Sequence, residues 1–146
     1  MSTNRHTIVM TGATSGIGAH ALAHLAASPN TDIIVGARGG RDLPNATVLP
    51  LELASLQSVR DFADALKRHL GDIKIDMLVL NAGAQFRQAE RSVDGYEMTF
   101  AVNHLSHYLL ARLPELVEGG RIVITTSDTH DPAKMGSPWM IVGEVT

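Results

Sequence analysis

Two stretches of this 146-residue chain hold groups able to do chemistry. The first, TGATSGIG at residues 11–18, spaces Gly12, Gly16 and Gly18 around Thr14 and Ser15. Glycines in that pattern let the backbone turn tightly and approach a pyrophosphate, which then rests on the free N–H groups at the start of a helix. The GK[ST] ending of a P-loop is missing, which leaves a dinucleotide as the ligand. An acidic residue about 20 positions further on normally holds the ribose hydroxyls of such a ligand. Here VGARGGR supplies Ala37 and Arg38 at that distance. Arginine cannot accept from a hydroxyl but can grip a 2′-phosphate, so NADP is favoured over NAD. The second stretch, RIVITTSDTHDP at residues 121–132, is an apolar, β-branched run that delivers Ser127 to a strand end, with Asp128, His130 and Asp131 close behind. Strand ends of that kind are where catalytic groups collect in parallel α/β sheets.

These groups need strands and helices to position them, and the pattern provides both. TIVMTG (7–12), DIIVGA (32–37), ATVLPL (46–51), DMLVLNAG (76–83) and Arg121–Thr126 read as strands, apolar at nearly every position. Strands of that composition are buried on both faces, as in a parallel sheet covered by helices. Between them lie helical patterns. One begins at Ile17, with Ile17, Ala21 and Leu25 on one face, and stops at Ser28-Pro29. A second follows Ser55 as its cap, with Leu56, Val59, Phe62, Leu66 and Leu70 spaced three and four apart. A third, from the pair Asp94 and Glu97 to about Leu113, has the spacing of a capping box. The alternation predicts one α/β domain over residues 1–146, a Rossmann-type doubly wound parallel sheet in three αβα layers with about five strands.

Composition sets the outer limits. The chain is 45% hydrophobic and 18% charged, enough apolar content to bury a core in one globular domain. With 12 basic against 15 acidic residues and no basic run, nucleic acid is not expected as a partner. The absence of cysteine excludes disulfides and thiolate metal sites and fits a reducing compartment. No apolar run reaches the ~20 residues of a membrane span, and the N-terminus lacks a signal-peptide pattern, so a cytoplasmic protein is expected.

Taken together, TGATSGIG, LNAG at 80–83, DGYEMTFAVNHLSHYLL at 94–110 and RIVITTS at 121–127 resemble the short-chain dehydrogenase/reductase family in order and position. The third of these is closest to its retinol-dehydrogenase and protochlorophyllide-reductase-like branch. The resemblance implies an NAD(P)-dependent oxidoreductase acting on an alcohol or carbonyl compound. It also implies that Gly12, Thr14, Ser15, Gly16, Ile17 and Gly18 cradle the cofactor's phosphates. Glu52-Leu53 stands where the family usually has an aspartate facing the adenine, and Asn81, Ala82 and Gly83 line the ribose side. Asn103 matches an asparagine that holds a water in the proton relay, and Ser127 a serine that hydrogen-bonds the substrate oxygen. The family's Tyr-x-x-x-Lys pair, its general acid/base and helper, has no counterpart after Ser127. This chain is therefore expected to be the cofactor-binding part, with the C-terminal portion of the fold absent. In the family's strand order further strands cover the fifth, so the fragment is expected to expose an edge and form homo-oligomers.

Other arrangements compete less well. Tyr108 and Arg112 have a Tyr-x-x-x-cation spacing but lie before the serine strand. His20 and His24, and His104 and His107, are pairs without a third acidic ligand at a recognised spacing, so no metal is expected. Ser127, Asp128 and His130 crowd one loop and lack the G-x-S-x-G elbow of a hydrolase.

Overall fold

The structure, a computed structural model, describes residues 5–40 and 42–127; Asp128, His130 and Asp131 lie outside the described residues. Five strands, β1 (His6–Thr11), β2 (Thr31–Ala37), β3 (Thr47–Pro50), β4 (Ile75–Leu80) and β5 (Leu116–Ile124), form one sheet in the order β3-β2-β1-β4-β5. Every neighbouring pair is parallel. The chain winds outward from β1 to β3, returns, and continues on the other side through β4 and β5. The order therefore reverses between β1 and β4, the position at which doubly wound sheets open a ligand crevice.

Alternation along the strands divides the core. Ile8, Met10, Ile33 and Val35 pack on one face with Leu22 of α1 (Gly16–Ala26). Val9, Ile34, Leu78 and Leu80 pack on the other with Val59, Phe62 and Leu66 of α2 (Leu56–Leu70), and with Val102 and Leu110. Both sheet faces are thus covered, as the continuous apolar runs require. Ser55 caps α2 by accepting from the Ser58 N–H at 3.2 Å.

The helices depart from the sequence reading in two places. Ile17 does not share the inward face of α1: it is 76% exposed, and Gly18 and Leu22 turn inward instead. Asp94 does not open the third helix. Its Oδ2 accepts from the Leu56 N–H at 2.8 Å, reaching across to the start of α2. Glu97 alone caps α3 (Met98–Phe100), its carboxylate accepting from the Thr99 and Phe100 N–H groups at 2.9 and 2.7 Å. Those bonds, chiefly the one from Phe100, hold its pKa below the usual carboxylate value. The rod also continues through a π-helical turn, π1 (Ala101–Leu105), into α4 (Ser106–Arg112).

Strand β5 begins at Leu116, five residues earlier than its apolar run suggests. A register irregularity, from Ile75 opposite Leu116 to Met77 opposite Arg121, absorbs the surplus, with Gly119 at φ +76° inside it. Among the described residues no strand pairs with the outer edge of β5. Ile122, Val123 and Ile124 are 44%, 43% and 61% exposed. A strand composed for burial thus presents apolar side chains beside unpaired backbone groups, a template for association. The 146-residue chain is expected to self-associate through this edge, and Ile122→Lys combined with Ile124→Lys to suppress it. Sedimentation velocity checks this: the larger species should shrink in the double variant, and unchanged distributions would contradict an edge-driven contact.

Candidate functional site

β1 ends at Thr11 and the chain turns at Gly12, whose φ is +69°. A Cβ at Gly12 would lie 2.6 Å from the backbone N and Cα of Ala82, and one at Gly18 would overlap the Gly12 carbonyl oxygen. These two glycines let β1, the loop after β4 and the start of α1 close on one another. Gly16, at φ +55°, instead faces open space, with nothing within 4 Å of where its Cβ would be. Ser15 precedes α1 in an extended conformation without turning its hydroxyl onto the helix, and the first turn carries no acidic residue. The first N–H groups of α1 therefore remain available, with the positive end of the helix dipole behind them, to an anion approaching from the cleft.

That cleft has a volume of about 670 Å³, within the range of ligand sites. Gly12, Thr14, Ser15, Ile17, Gly18, Arg38, Glu52, Leu53, Asn81, Ala82 and Gly83 all line it. Gly16 shapes the turn without being part of the lining. Arg38 follows β2 directly, exposed, with no acidic partner among the described residues. Glu52 is partly committed to its own turn: its Oε1 accepts from the Ala54 N–H at 3.0 Å, and its N–H donates to Ser58 Oγ at 2.9 Å. The sequence did not single out Phe86, Met98, Val102 and Thr125, which also line the cleft. The three apolar residues carry no local signature of a site, because the fold alone brings them to it.

The far wall is a hydrogen-bonded assembly. Asn81 Nδ2 donates to the Gly12 carbonyl at 3.0 Å, and Asn81 Oδ1 accepts from Thr125 Oγ1 at 2.8 Å. The N–H groups of Asn81 and Ala82 both donate to Thr11 Oγ1 at 3.1 Å. Asn103, in π1, grips Ala84 twice: Oδ1 accepts from its N–H and Nδ2 donates to its carbonyl, each at 2.8 Å. π-Helical turns recur at functional sites, and this one places Asn103 beside the cleft wall. Ser106 Oγ donates to the Leu53 carbonyl at 2.6 Å, fixing α4 to the cleft floor. The buried His107 lies 3.0 Å from Thr11 Oγ1 through Nε2 and 3.3 Å from the Asn103 carbonyl through Nδ1. Burial pushes its pKa below the ordinary histidine value, partly offset by the Asn103 contact.

Asn103 and Ser127 are not part of the lining; Ser127 is exposed three residues beyond β5. Tyr108 lies outside the cleft as well, 56% exposed, with its ring stacked on His104 at 6.4 Å and the Arg112 guanidinium 5.6 Å from the ring centroid. Arg112 thus meets the face of the ring, so the Tyr108–Arg112 spacing builds an outward cation–π contact.

The family model described as short chain dehydrogenase matches residues 6–142. The chain is 40% identical over 121 residues to the chloroplastic protochlorophyllide reductase A of Hordeum vulgare, covering 73% of this chain and 30% of that one. An uncharacterized protein of Mycobacterium paratuberculosis of known structure matches with a TM-score of 0.72 and 33% identity, over 86% of this chain and 47% of that one. A short chain dehydrogenase of Burkholderia cenocepacia, solved in complex with NADP, matches with a TM-score of 0.66 and 26% identity, over 86% and 56%. The chain therefore spans 30 to 56% of the length of these proteins.

The tight meeting of Gly12 and Ala82 yields a direct test. Gly12→Ala combines a positive φ with a backbone clash, and strain of this kind costs on the order of 1–3 kcal/mol. Urea unfolding should show a loss of at least that size, whereas Gly16→Ala, which meets no neighbour, should cost less. Equal stability of Gly12→Ala and the parent would contradict the geometry.

Proposed function

Because the chain belongs to the short-chain dehydrogenase/reductase family, we propose that it is the cofactor-binding part of an NADP-dependent oxidoreductase acting on a carbonyl or alcohol substrate. The observation that carries this reading is the pairing of an open α1 N-terminus, reached over Gly16, with Arg38 in one cleft. The first suits a pyrophosphate and the second a 2′-phosphate, and no carboxylate stands where NAD would need one. The residues present fit the dinucleotide: a Cβ-free opening at the helix start and, among the described residues, N–H groups and an Arg38 guanidinium without a protein partner.

When bound, the nicotinamide supplies or receives the hydride. The chain's own residues do the rest of what this part can do. Gly12 to Gly18 hold the phosphates, Glu52 and Leu53 bound the adenine side, and Asn81, Ala82 and Gly83 bound the ribose side. Asn103 stands at the wall for a relay water, and Ser127 orients the substrate oxygen. A serine hydroxyl is too weak an acid near neutral pH to protonate that oxygen as charge develops. Such proton transfer is commonly worth ~10²–10⁴ in rate. Tyr108, stacked between His104 and Arg112, does not supply it.

Two outcomes follow. The chain is expected to bind NADPH in preference to NADH, and Arg38→Asp to reverse the order. A charge-assisted bond contributes about 1.5–3 kcal/mol, so the change should exceed tenfold in fluorescence titrations; an unchanged preference would remove Arg38 from the site. The 146-residue chain is also expected to bind NADPH without consuming it in the presence of aldehydes or ketones. Absorbance at the reduced-nicotinamide band checks this, and rapid consumption abolished by Tyr108→Phe would contradict it.

A further inference from the structure

His107 stands behind the cleft wall, and the atoms around it fix its chemistry. Thr11, fully buried at the end of β1, places Oγ1 within hydrogen-bond distance of three nitrogens: Asn81 N, Ala82 N and His107 Nε2. The two backbone groups can only donate, so they occupy both lone pairs of the hydroxyl oxygen. The hydroxyl has one proton left, and its remaining partner is Nε2, which must therefore accept. A neutral imidazole that accepts at Nε2 carries its proton on Nδ1. Nδ1 in turn faces the Asn103 carbonyl, which can only accept. Among the described residues, the hydrogen-bond partners of the ring are thus an unionised hydroxyl and a carbonyl, with no carboxylate.

We propose that His107 is a positioning residue: a neutral, Nδ1-protonated imidazole that ties the Asn81–Ala84 wall of the cleft to π1 through the Thr11 hydroxyl. The chain of bonds runs from the Asn81 and Ala82 N–H groups to Thr11, from Thr11 to His107, and from His107 to the Asn103 carbonyl. Asn103 closes it by holding both backbone groups of Ala84. Two strand ends and the π-helical turn are therefore set against each other by the His107 ring together with the Asn103 side chain. An imidazolium, or the opposite tautomer, would aim an Nε2–H at an oxygen with no lone pair to spare. It would also leave the hydroxyl proton without an acceptor. Burial, which disfavours the charged ring, acts in the same direction. The link to ligand binding rests on the nucleotide-binding reading above; the tautomer does not.

The experiment has two readouts. Long-range ¹H–¹⁵N spectra of the 146-residue chain, with imidazole nitrogens labelled, report the protonation of each ring nitrogen. The His107 signals should show a protonated Nδ1 and a bare Nε2 at pH 7.5. An Nε2–H tautomer or an imidazolium there would overturn the proposal, whatever the chain binds. NADPH titrations then compare variants. His107→Phe keeps a ring but offers no acceptor to Thr11, and should weaken NADPH roughly tenfold. His107→Gln can place an amide oxygen near the position of Nε2, and should remain within about threefold of the parent. Binding by His107→Phe as tight as the parent's, or no rescue by His107→Gln, would overturn the positioning role. If the parent itself does not bind NADPH, the nucleotide-binding reading and the link to it fail, while the nitrogen spectra still decide the hydrogen-bond chain. Should His107→Phe fail to fold, the spectra and His107→Gln carry the test.

Discussion

No side chain fits between Gly12 and Ala82, where a Cβ would stand 2.6 Å from backbone atoms, and much of the structure depends on that approach. β1 and β4 are neighbours at which the strand order reverses, so the loops leaving their ends part in opposite directions and leave a crevice. The backbone at Gly12 must pass close to Ala82 for the Asn81 side chain to reach the Gly12 carbonyl. The same approach brings the Asn81 and Ala82 N–H groups onto the Thr11 hydroxyl. Gly18 repeats the requirement within the first turn of α1, by resting on the Gly12 carbonyl. The open helix start faces the cleft because these backbones are packed without side chains between them.

Much of this was legible in the sequence because burial on two faces writes a simple signature. Ile8 to Met10, Ile33 to Val35 and Leu78 to Leu80 had to be apolar throughout, since alternate residues enter different halves of the core. The α2 spacing of Val59, Phe62 and Leu66 was equally direct, as all three pack on one sheet face. The glycine turn was legible for a different reason: close approach and positive φ exclude other residue types, so the constraint appears as composition.

The features that escaped the sequence reading are tertiary. Asp94 has the spacing of a capping pair with Glu97, yet its carboxylate finds the start of α2, 38 residues earlier in the chain. The turn π1 is followed by two buried polar residues, Ser106 and His107, so apolar periodicity does not announce it. Ile17 sits at a helix-face position in the sequence, but seating Gly18 against Gly12 turns Ile17 outward to the cleft rim. Phe86, Met98 and Val102 look like ordinary core residues and become cleft lining only when the loop after β4 folds over.

The division of labour in the chain follows from these elements. The residues proposed to receive a dinucleotide stand at the ends of β1, β2 and β4 and at the start of α1, whereas neither Tyr96 nor Tyr108 lines the cleft. The α1 N-terminus and the Asn81–Gly83 wall are proposed to receive NADPH, which an amide ¹H–¹⁵N titration of the 146-residue chain with NADPH can test. Saturable shifts are expected at Thr14 to Gly18, Arg38 and Asn81 to Gly83, with β5 residues Ile122 to Ile124 unmoved. Shifts confined to β5, or none at the helix start at saturating nucleotide, would contradict it.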